Sequence, residues 1–294
     1  MIIVKIWGGL GNQMFQYAFG YMLSKKYNKR LYLDIDFYKN QPSYVGQRNY
    51  MLDKLSIPEV AYVRRRGIIS FLENWFINRI IQRVPRVSLE FPHGLYFYKE
   101  RRKKFDEKVS VRENKINYFD GYWQSPKYFS EYKEELKRMF RYRNIFPCNV
   151  DVLLNQMQKC ESVSVHIRKG DFRKKKKIGI NIGKEMPLSY YEKAIQYIRQ
   201  NVRNPVFYIF SDDFQWVSEN LGNSQEFQYM NMESEDGEVL DLLCMTYCRH
   251  GILSASTFSW WGNWLKDESK DSIIIAPKGE YFNNRFLEER WIKM

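Results

Sequence analysis

Residues 162–171 read Ser-Val-Ser-Val-His-Ile-Arg-Lys-Gly-Asp, an alternating segment that ends in His166, Arg168 and Asp171. Alternation of apolar and polar residues is typical of a β-strand. In open α/β sheets, ligands bind beyond the carboxyl ends of the strands, so we expect these three side chains beside a substrate. A guanidinium there offers a planar pair of donors that suits phosphate oxygens. The alternative is a strand that ends in solvated charges.

A glycine-rich turn follows the first predicted strand. Residues 1–7 are mainly apolar, and Gly8-Gly-Leu-Gly-Asn-Gln13 then leads into a predicted helix over residues 14–27. Glycines allow a ligand to approach the backbone closely, and the amides at a helix start favour an anion. The turn differs from the dinucleotide fingerprint G-x-G-x-x-G, because the third glycine position falls on Gln13 or Met14. A purely structural turn is the alternative.

A hydroxyl-rich junction lies near the carboxyl terminus. Residues 253–264 read Leu-Ser-Ala-Ser-Thr-Phe-Ser-Trp-Trp-Gly-Asn-Trp, with four hydroxyl residues in six positions between a predicted strand and a helix. Such a junction can donate to a phosphate from side chains and backbone. The alternative is an ordinary helix cap, and we expect Trp260, Trp261 and Trp264 to pack in the core.

The order of predicted elements indicates an α/β protein. A strand at 30–34 is the second strand of the first half. In the second half, strands at 206–210, 226–229, 250–254 and 272–276 alternate with helices at 188–203, 214–221, 238–248 and 258–267. This alternation predicts parallel sheets covered by helices. A chain of 294 residues can form two domains of about 150 residues each. We place the boundary after residue 148, which gives domains at 1–148 and 149–294.

Five motifs occur in a fixed order along the chain. They are Gly8-Gly-Leu-Gly-Asn-Gln-Met-Phe-Gln-Tyr-Ala, Gly121-Tyr-Trp-Gln-Ser, His166-Ile-Arg-Lys-Gly-Asp, Phe210-Ser-Asp-Asp and Ser256-Thr-Phe-Ser-Trp-Trp-Gly. In order and spacing they resemble the α1,2-fucosyltransferases of glycosyltransferase family 11. The resemblance implies a GT-B fold, with two Rossmann-like domains facing each other across a cleft. It also implies GDP-β-L-fucose as donor, inversion at the anomeric carbon, and no metal or other cofactor. Two positions depart from the family pattern, Lys169 for a second arginine and Ala255 for an asparagine.

The resemblance also assigns roles to residues of the donor site. Arg168 would pair with the diphosphate, and His166 would contact phosphate or sugar. Asp241 matches an acidic position that reads guanine, since a carboxylate can accept hydrogen bonds from N1 and N2 together. The remaining residues assigned to donor binding are Gly9, Gly11, Asn12, Gln13, Asp213, Ser256, Thr257, Phe258 and Ser259.

The adjacent acids Asp212 and Asp213 raise the possibility of a D-x-D metal site. Their side chains should diverge because they are neighbours, so we expect helix capping and support of the Arg168 site. The acceptor hydroxyl must lose a proton, and Asp171 is the best candidate for the base. Two alternatives stay open, that Asp171 orients Arg168 and that Glu185 is the base.

The implied acceptor is the 2-hydroxyl of a terminal β-galactose on a glycan. We expect the first domain to bind it near residues 8–13 and 121–125. Tyr122 and Trp123 offer flat apolar faces for a pyranose, while Asn12 and Gln124 offer paired donors and acceptors. The alternative is that the two aromatic residues belong to the core.

The charge balance indicates an anionic partner. Lys and Arg number 47 and Asp and Glu 34, a net charge of +13, which suits a nucleotide diphosphate, a membrane surface or nucleic acid. Nucleic acid is disfavoured, because aromatic residues are not interleaved with the basic runs and no known module appears. The spacing of Cys244, Cys248 and His250 suggests a zinc site. We do not expect one, because the sequence lacks a second ligand pair nearby.

The sequence predicts a cytoplasmic protein. The amino-terminal residues lead directly into the glycine turn, so we expect a structural strand there rather than a signal peptide, and no apolar run approaches the roughly 20 residues that span a bilayer. Residues 68–84 form an amphipathic pattern between the basic clusters 64–66 and 101–104, with a further cluster at 173–177. This segment either lies at the inner face of the membrane, where a lipid-linked glycan would be bound, or packs on the sheet of the first domain. The competing function is that of another nucleotide-sugar enzyme with the same α/β fold.

Overall fold

A computed structural model describes residues 1–39, 41, 47–63, 87–91, 94–100, 105–169, 185–232, 234–267, 271–279 and 287–294. The chain divides into two compact units, Met1–Phe140 and Arg141–Met294. This division falls a short distance before the predicted boundary at 148/149. The amphipathic segment 68–84 and the three basic clusters at 64–66, 101–104 and 173–177 lie outside the described residues.

The first unit is built on a six-stranded sheet in the order β3-β2-β1-β6-β5-β4. Its strands are β1 Ile2–Lys5, β2 Leu31–Asp34, β3 Ala61–Tyr62, β4 Val87–Phe91, β5 Leu95–Lys99 and β6 Ile116–Asp120. Neighbouring strands are parallel except for the antiparallel pair β4 and β5. Since β1 and β6 lie side by side at the centre, the segments that follow them meet at one edge of the sheet.

Helix α1, Leu10–Tyr27, packs on this sheet and is buried over most of its length. Gly20 allows the close approach, because a Cβ there would lie 2.8 Å from Leu31 Cδ1. Asn28 ends the helix in the left-handed conformation with φ of 48°. The remaining helical elements of the unit are α2 Lys133–Met139 and the 3-10 turns Asp36–Tyr38, Leu52–Lys54, Pro126–Tyr128 and Ser130–Tyr132.

The second unit contains a six-stranded sheet in the order β9-β8-β7-β10-β11-β12, in which all neighbours are parallel. Its strands are β7 Glu161–Ile167, β8 Pro205–Ser211, β9 Phe227–Met230, β10 His250–Ile252, β11 Ile274–Ala276 and β12 Ile292–Lys293. Its helices are α3 Cys148–Lys159, α4 Leu188–Asn201, α5 Phe214–Leu221, α6 Gly237–Tyr247 and α7 Thr257–Trp264. This is the strand order of dinucleotide-binding domains, and its order reverses between β7 and β10.

Both faces of the second sheet are covered, in keeping with the mainly apolar strands β8 and β11. Along β8, Phe207 and Ile209 pack in one core cluster with residues of α4, whereas Tyr208 and Phe210 pack in another with α3 and α6. The predicted βα alternation and parallel sheet are confirmed. The three tryptophans of α7 are buried, as predicted. Within the described ranges, no helix combines the length and apolar character needed to cross a membrane.

Candidate active site

Two strand ends meet at the point where the strand order of the second unit reverses. His166 lies near the end of β7, and its Nδ1 is 2.7 Å from the Oγ of Ser254, which follows β10. Arg168 lies just beyond β7, and its Nη1 donates to the Oγ of Ser256 at 3.3 Å. The parallel pairing of β7 with β10 thus brings His166 to Ser254 and Arg168 to Ser256, although the two residues of each pair are 88 positions apart in the chain.

His166 is buried, and its ring contacts that of Phe258 with 5.3 Å between centroids. Burial lowers the pKa of His166 to about 3 because the imidazolium loses its solvent; Asp212 opposes this and Arg168 adds to it. The imidazole is therefore neutral near pH 7 and forms hydrogen bonds without carrying charge. Positive charge at this strand end comes from Arg168.

The hydroxyl residues of the 254–259 junction have different roles. Ser256 caps α7, because its Oγ accepts from the backbone N of Phe258 at 3.3 Å. Ser259 is fully buried, and its Oγ donates to the carbonyls of Ser254 at 3.2 Å and Ser256 at 3.1 Å. Thr257 and Phe258 are partly exposed. The sequence assigned the same donor-binding role to Ser256 and Ser259. It did not single out Ser254, which stood out only as one of the four hydroxyl residues in this junction.

Lys169, which stands where the family pattern has a second arginine, has its side chain turned into the protein. Its Nζ pairs with Glu185 Oε1 at 2.7 Å, donates to the carbonyl of Met186 at 2.8 Å and lies 3.8 Å from the ring centroid of Trp216. Only 3% of the residue is exposed. Lys169 therefore ties the end of β7 to α5 and to residues 185–186. Glu185, the alternative base, is held in this ion pair.

The two adjacent acids diverge as predicted. Asp213 caps α5 by accepting from the backbone N of Trp216 at 3.0 Å, which confirms the predicted cap. Asp212 Oδ1 accepts from the backbone N of Lys169 at 2.7 Å and so supports the strand end that carries Arg168. Asp171 lies outside the described residues, and its assignment as the base stays a prediction.

Asp241 lies on α6, and its Oδ1 is buried without a hydrogen-bond partner in the described part of the chain. Burial raises the pKa of Asp241 to about 8, and Glu238 adds to the effect. The carboxyl group is thus mostly protonated near pH 7. A buried polar oxygen without a partner costs free energy, which a ligand that supplies donors would recover.

The described ranges contain no group of three or more His, Cys, Asp or Glu side chains placed to hold a metal ion. Cys244 and Cys248 are buried in the core cluster beneath β8. His250 has protein partners at both ring nitrogens: Nε2 lies 2.9 Å from Glu161 Oε2, and Nδ1 accepts from the backbone N of Ile273 at 3.0 Å.

In the first unit, the glycine turn is held by the side chain of Gln13. Its Nε2 donates to the carbonyls of Gly8 at 3.2 Å and Asn49 at 2.8 Å, and its Oε1 accepts from the backbone N of Met51 at 2.9 Å. Gly8 has φ of 84°, which favours glycine. Gly9 immediately precedes α1, whose first turn contains Gly11 and Asn12. Contact of Gly9, Gly11, Asn12 and Gln13 with a donor stays a prediction, to which the fully buried side chain of Gln13 contributes by holding the turn.

A second glutamine joins this turn to the segment after β6. Gln16 Oε1 accepts from the backbone N of Trp7 at 3.0 Å, and Nε2 donates to the carbonyl of Gly121 at 3.3 Å. Asn12 Oδ1 accepts from Gln124 Nε2 at 2.9 Å. The two segments predicted to bind the acceptor therefore lie together, and the predicted pair Asn12 and Gln124 is in direct contact.

The two aromatic residues of the second segment differ. Trp123 is fully buried and stacks on Phe19 with 3.9 Å between ring centroids and 2° between planes, so it belongs to the core. Tyr122 is partly exposed and contacts Trp7 at 4.2 Å. Of the two proposed pyranose platforms, only Tyr122 presents ring surface.

The chain matches the model of glycosyl transferase family 11 over residues 1–293. It belongs to this family. The family 11 chain is 33% identical over 306 residues to an alpha-1,2-colitosyltransferase of Escherichia coli, covering 100% of the chain and 99% of that relative. It is 28% identical over 309 residues to the O-antigen biosynthesis glycosyltransferase WbnK of Escherichia coli, with 98% of each covered. A rabbit (Oryctolagus cuniculus) galactoside alpha-(1,2)-fucosyltransferase 2 is 22% identical over 285 residues, which cover 94% of the chain and 69% of the relative.

Solved structures show the same fold. The alpha-1,6-fucosyltransferase NodZ soaked with GDP-fucose matches with a TM-score of 0.53 at 13% identity, covering 90% of this chain and 92% of NodZ. POFUT1 in complex with GDP matches with a TM-score of 0.50 at 12% identity, covering 93% of this chain and 97% of POFUT1. The family 11 protein has the GT-B fold, with a mainly parallel sheet in the first unit and a fully parallel sheet in the second. The predicted family and fold are confirmed.

Proposed function

We propose that this family 11 protein is an inverting galactoside α1,2-fucosyltransferase that moves L-fucose from GDP-β-L-fucose to the 2-hydroxyl of a terminal β-galactose on a glycan. The observation that carries the proposal is the contact of Arg168 with Ser256, beside neutral His166, where the strand order of a nucleotide-type sheet reverses. The names of the relatives support an α1,2 linkage and a role in O-antigen biosynthesis.

The leaving group explains why an arginine is needed there. Departure of the sugar through an oxocarbenium-like state builds negative charge on the diphosphate, and fixed donors aimed at that charge lower the barrier. Arg168 supplies the cation, Ser256 a hydroxyl next to it, and α7 the amino end of a helix. In the proposal these groups act without a metal or other cofactor.

Recognition of guanine is assigned to Asp241. Guanine offers N1–H and N2–H donors side by side, and an ionised carboxylate accepts from both. The unpartnered buried oxygen of Asp241 is a group that such a ligand would satisfy. Adenine and uracil lack this pair of donors, so the contact would select GDP over ADP or UDP.

The acceptor and its base complete the proposal. The first unit binds the terminal galactose near Asn12, Gln124 and Tyr122, where amide and aromatic groups lie together. Asp171 accepts the proton of the attacking hydroxyl. Replacement Asp171→Asn should then abolish transfer while GDP affinity stays near normal. An equal fall in GDP affinity would make Asp171 an orienter of Arg168 instead.

The proposed setting is the cytoplasm, with peripheral contact at the inner face of the membrane and a lipid-linked glycan as acceptor. Support comes from the net charge of +13 and from the relative named for O-antigen biosynthesis. Co-sedimentation with vesicles containing an anionic lipid, compared with neutral vesicles, tests the membrane contact. Equal recovery with both vesicle types would remove this part of the proposal.

A second donor has specific support, because the 33% identical relative is an alpha-1,2-colitosyltransferase. Colitose is the 3-deoxy form of L-fucose, so GDP-colitose presents the same guanine and diphosphate. The contacts proposed for Arg168, Ser256 and Asp241 serve both donors equally. The choice between them depends on how the protein binds one sugar hydroxyl.

The test is transfer from each donor to lactose, N-acetyllactosamine or galactosyl-β1,3-N-acetylgalactosamine, with excess EDTA present. We expect a fucosylated product that an α1,2-specific fucosidase cleaves. A product linked through the N-acetylhexosamine would overturn the linkage, and transfer from GDP-colitose alone would replace the donor. Loss of activity in EDTA with recovery on adding Mg²⁺ or Mn²⁺ would overturn the metal-free mechanism.

A further inference from the structure

Six aromatic residues lie along the carboxyl edge of the first sheet. Tyr62 ends β3, the residues 37–38 follow β2, Trp7 follows β1 and Tyr122 follows β6, so four neighbouring strands contribute. Tyr50 lies between Tyr62, at the end of β3, and Tyr38, which follows β2. We call this set the aromatic row; its members are Tyr62, Tyr50, Tyr38, Phe37, Trp7 and Tyr122.

Ring contacts connect the row in the same order as the strands. The centroid distances are 6.0 Å for Tyr62–Tyr50, 5.9 Å for Tyr50–Tyr38, 5.3 Å for Tyr38–Phe37, 6.3 Å for Phe37–Trp7 and 4.2 Å for Trp7–Tyr122. Four strands at the usual spacing of about 4.8 Å make an edge of roughly 15 Å, comparable to the length of a short oligosaccharide.

The row differs from the aromatic packing of the core. Its rings meet at interplanar angles between 43° and 89°, so none of these five contacts is a parallel stack in which one ring covers the face of the other. All six side chains keep some exposure, and 47% of Tyr62 is exposed. In the core pair of Phe19 and Trp123, by contrast, the planes are parallel and both residues are buried.

The chemistry of the row suits neutral sugars. Aromatic faces carry a negative quadrupole that attracts the C–H face of a pyranose. Tyr38 donates to the carbonyl of Gly8 at 2.9 Å, which fixes the row to the glycine turn. Tyr50 and Tyr62 place their hydroxyls 3.5 Å apart near the outer end.

We infer that the aromatic row binds the acceptor glycan beyond its terminal sugar, as a series of subsites that runs from Tyr122 to Tyr62. The inference rests on the proposed function, which places the terminal galactose beside Tyr122. The remaining sugars then extend over the aromatic side chains of the row that lie at the ends of β1, β2 and β3. Longer acceptors should therefore bind more tightly than a disaccharide with the same terminal galactose.

The experiment compares lacto-N-tetraose with galactosyl-β1,3-N-acetylglucosamine, the disaccharide at its non-reducing end. Tyr62→Ser removes the outermost ring at an exposed site, and Tyr62→Phe keeps the ring and removes only the hydroxyl. Tyr247→Ser, at an exposed tyrosine of the second unit, is the matched control. We expect Tyr62→Ser to raise KM for the tetrasaccharide about three- to tenfold, with kcat and the disaccharide KM unchanged.

Tyr62→Phe and Tyr247→Ser should both behave like the unmodified protein. An unchanged tetrasaccharide KM in Tyr62→Ser, or an equal loss with both acceptors, would overturn the inference, as would a loss in Tyr62→Phe as large as in Tyr62→Ser. Saturation-transfer NMR of the tetrasaccharide with GDP present separates this test from that of the proposed function. Saturation of the reducing-end sugars that disappears in Tyr62→Ser supports the row even where neither donor is used.

Discussion

The carboxyl edges of the two sheets have the same topological position and different chemistry. At the first edge the central strands end in the ion pair of Lys5 with Asp120, and the segments beyond them carry glycines, amides and aromatic rings, with Gln13 and Gln16 tying the backbone together. At the second edge the central strands end in a neutral histidine, an arginine and serines. Parallel-sheet topology therefore determines where a ligand binds, and the few residues after each strand determine which ligand. The first edge suits a neutral glycan and the second an anionic nucleotide.

The two edges are also supported differently. At the first edge, loop backbone is held by the amide side chains of Gln13 and Gln16 and, after β6, by the carboxylate of Glu100. At the second edge, Lys169 and Asp212 use charge to fix the strand end that carries Arg168. Substitutions at the two edges should accordingly have separable effects, on fold and acceptor for the first and on donor chemistry for the second.

Replacement of Arg168 should give the largest effect. Arg168→Ala should lower kcat by about 10²-fold or more, because one donor to the leaving diphosphate is lost. Arg168→Lys should not restore activity, since an ammonium does not reproduce the planar fork of a guanidinium. Steady-state kinetics with GDP-fucose measures both. Near-normal turnover in the lysine variant would show that Arg168 is a solvated strand-end charge.

Gln13→Leu should mainly affect the stability of the first unit. The change leaves the carbonyls of Gly8 and Asn49 and the amide of Met51 without their partners, at a cost of about 2–3 kcal/mol. We expect a lower urea midpoint and an unchanged GDP Kd of the folded protein. A weaker GDP Kd at unchanged stability would instead place Gln13 in the donor site, and would break the contrast between the two edges.

Asp241 should make GDP binding depend on pH. With a pKa of about 8 in the free protein, the carboxyl must lose a proton to accept from guanine. Affinity should therefore rise with pH by up to about tenfold per unit and level off above about pH 8. Isothermal titration of GDP between about pH 6 and about pH 9 measures this, and Asp241→Asn should flatten the curve. An equal slope in the variant would contradict the assignment.

The same residue gives a stability test in the absence of nucleotide. Because burial raises the pKa of Asp241 from 3.8 to about 8, the folded state holds a proton that the unfolded state releases. Stability should fall as pH rises through this window and then stay level. The Tm of Asp241→Asn should exceed that of the unmodified protein by a margin that grows up to about pH 8. A margin independent of pH would mean that Asp241 is solvated.

Ser256→Ala should have the smallest effect of the series. It removes the cap of α7, worth about 1 kcal/mol, together with the hydroxyl beside Arg168. We expect a small fall in Tm and a loss of GDP affinity well below that of Arg168→Ala. Ser218→Ala, at an exposed position of α5 whose hydroxyl bonds the carbonyl of Gln215, is a control for loss of a hydroxyl elsewhere. Equal behaviour of the two variants would separate Ser256 from the donor site.

The second unit was largely predictable from its sequence. Helices 188–203 and 214–221 were predicted within two residues of α4 and α5, because clear apolar periodicity and short polar connections mark their ends. The contact of residues 166–168 with the hydroxyl run also follows from parallel pairing. Ser254 and the inward direction of Lys169 did not follow, since each depends on a partner that only the folded sheet brings near.

The first unit was less predictable. Residues 95–99 read Leu-Tyr-Phe-Tyr-Lys and lead into the charged run 100–104, so the sequence there shows no clear alternation of apolar and polar residues that would predict a strand. Trp123 has φ of 56°, and its backbone N donates to Glu100, which lies just beyond β5. No local signal distinguishes this buried tryptophan from its partly exposed neighbour Tyr122. The difference between the two residues depends on contacts with residues far away in the chain, which the spacing of residues in the sequence does not predict.

The amide tethers of Gln13 and Gln16 bear on ionic strength. Their hydrogen bonds join neutral groups, so dissolved ions hardly screen them, and the glycine turn should keep one geometry from dilute buffer to concentrated salt. The attraction of Arg168 for a diphosphate is screened under the same conditions. Rising salt should consequently raise KM for the donor while KM for a neutral acceptor stays constant, so that one titration with sodium chloride separates the two halves of the reaction.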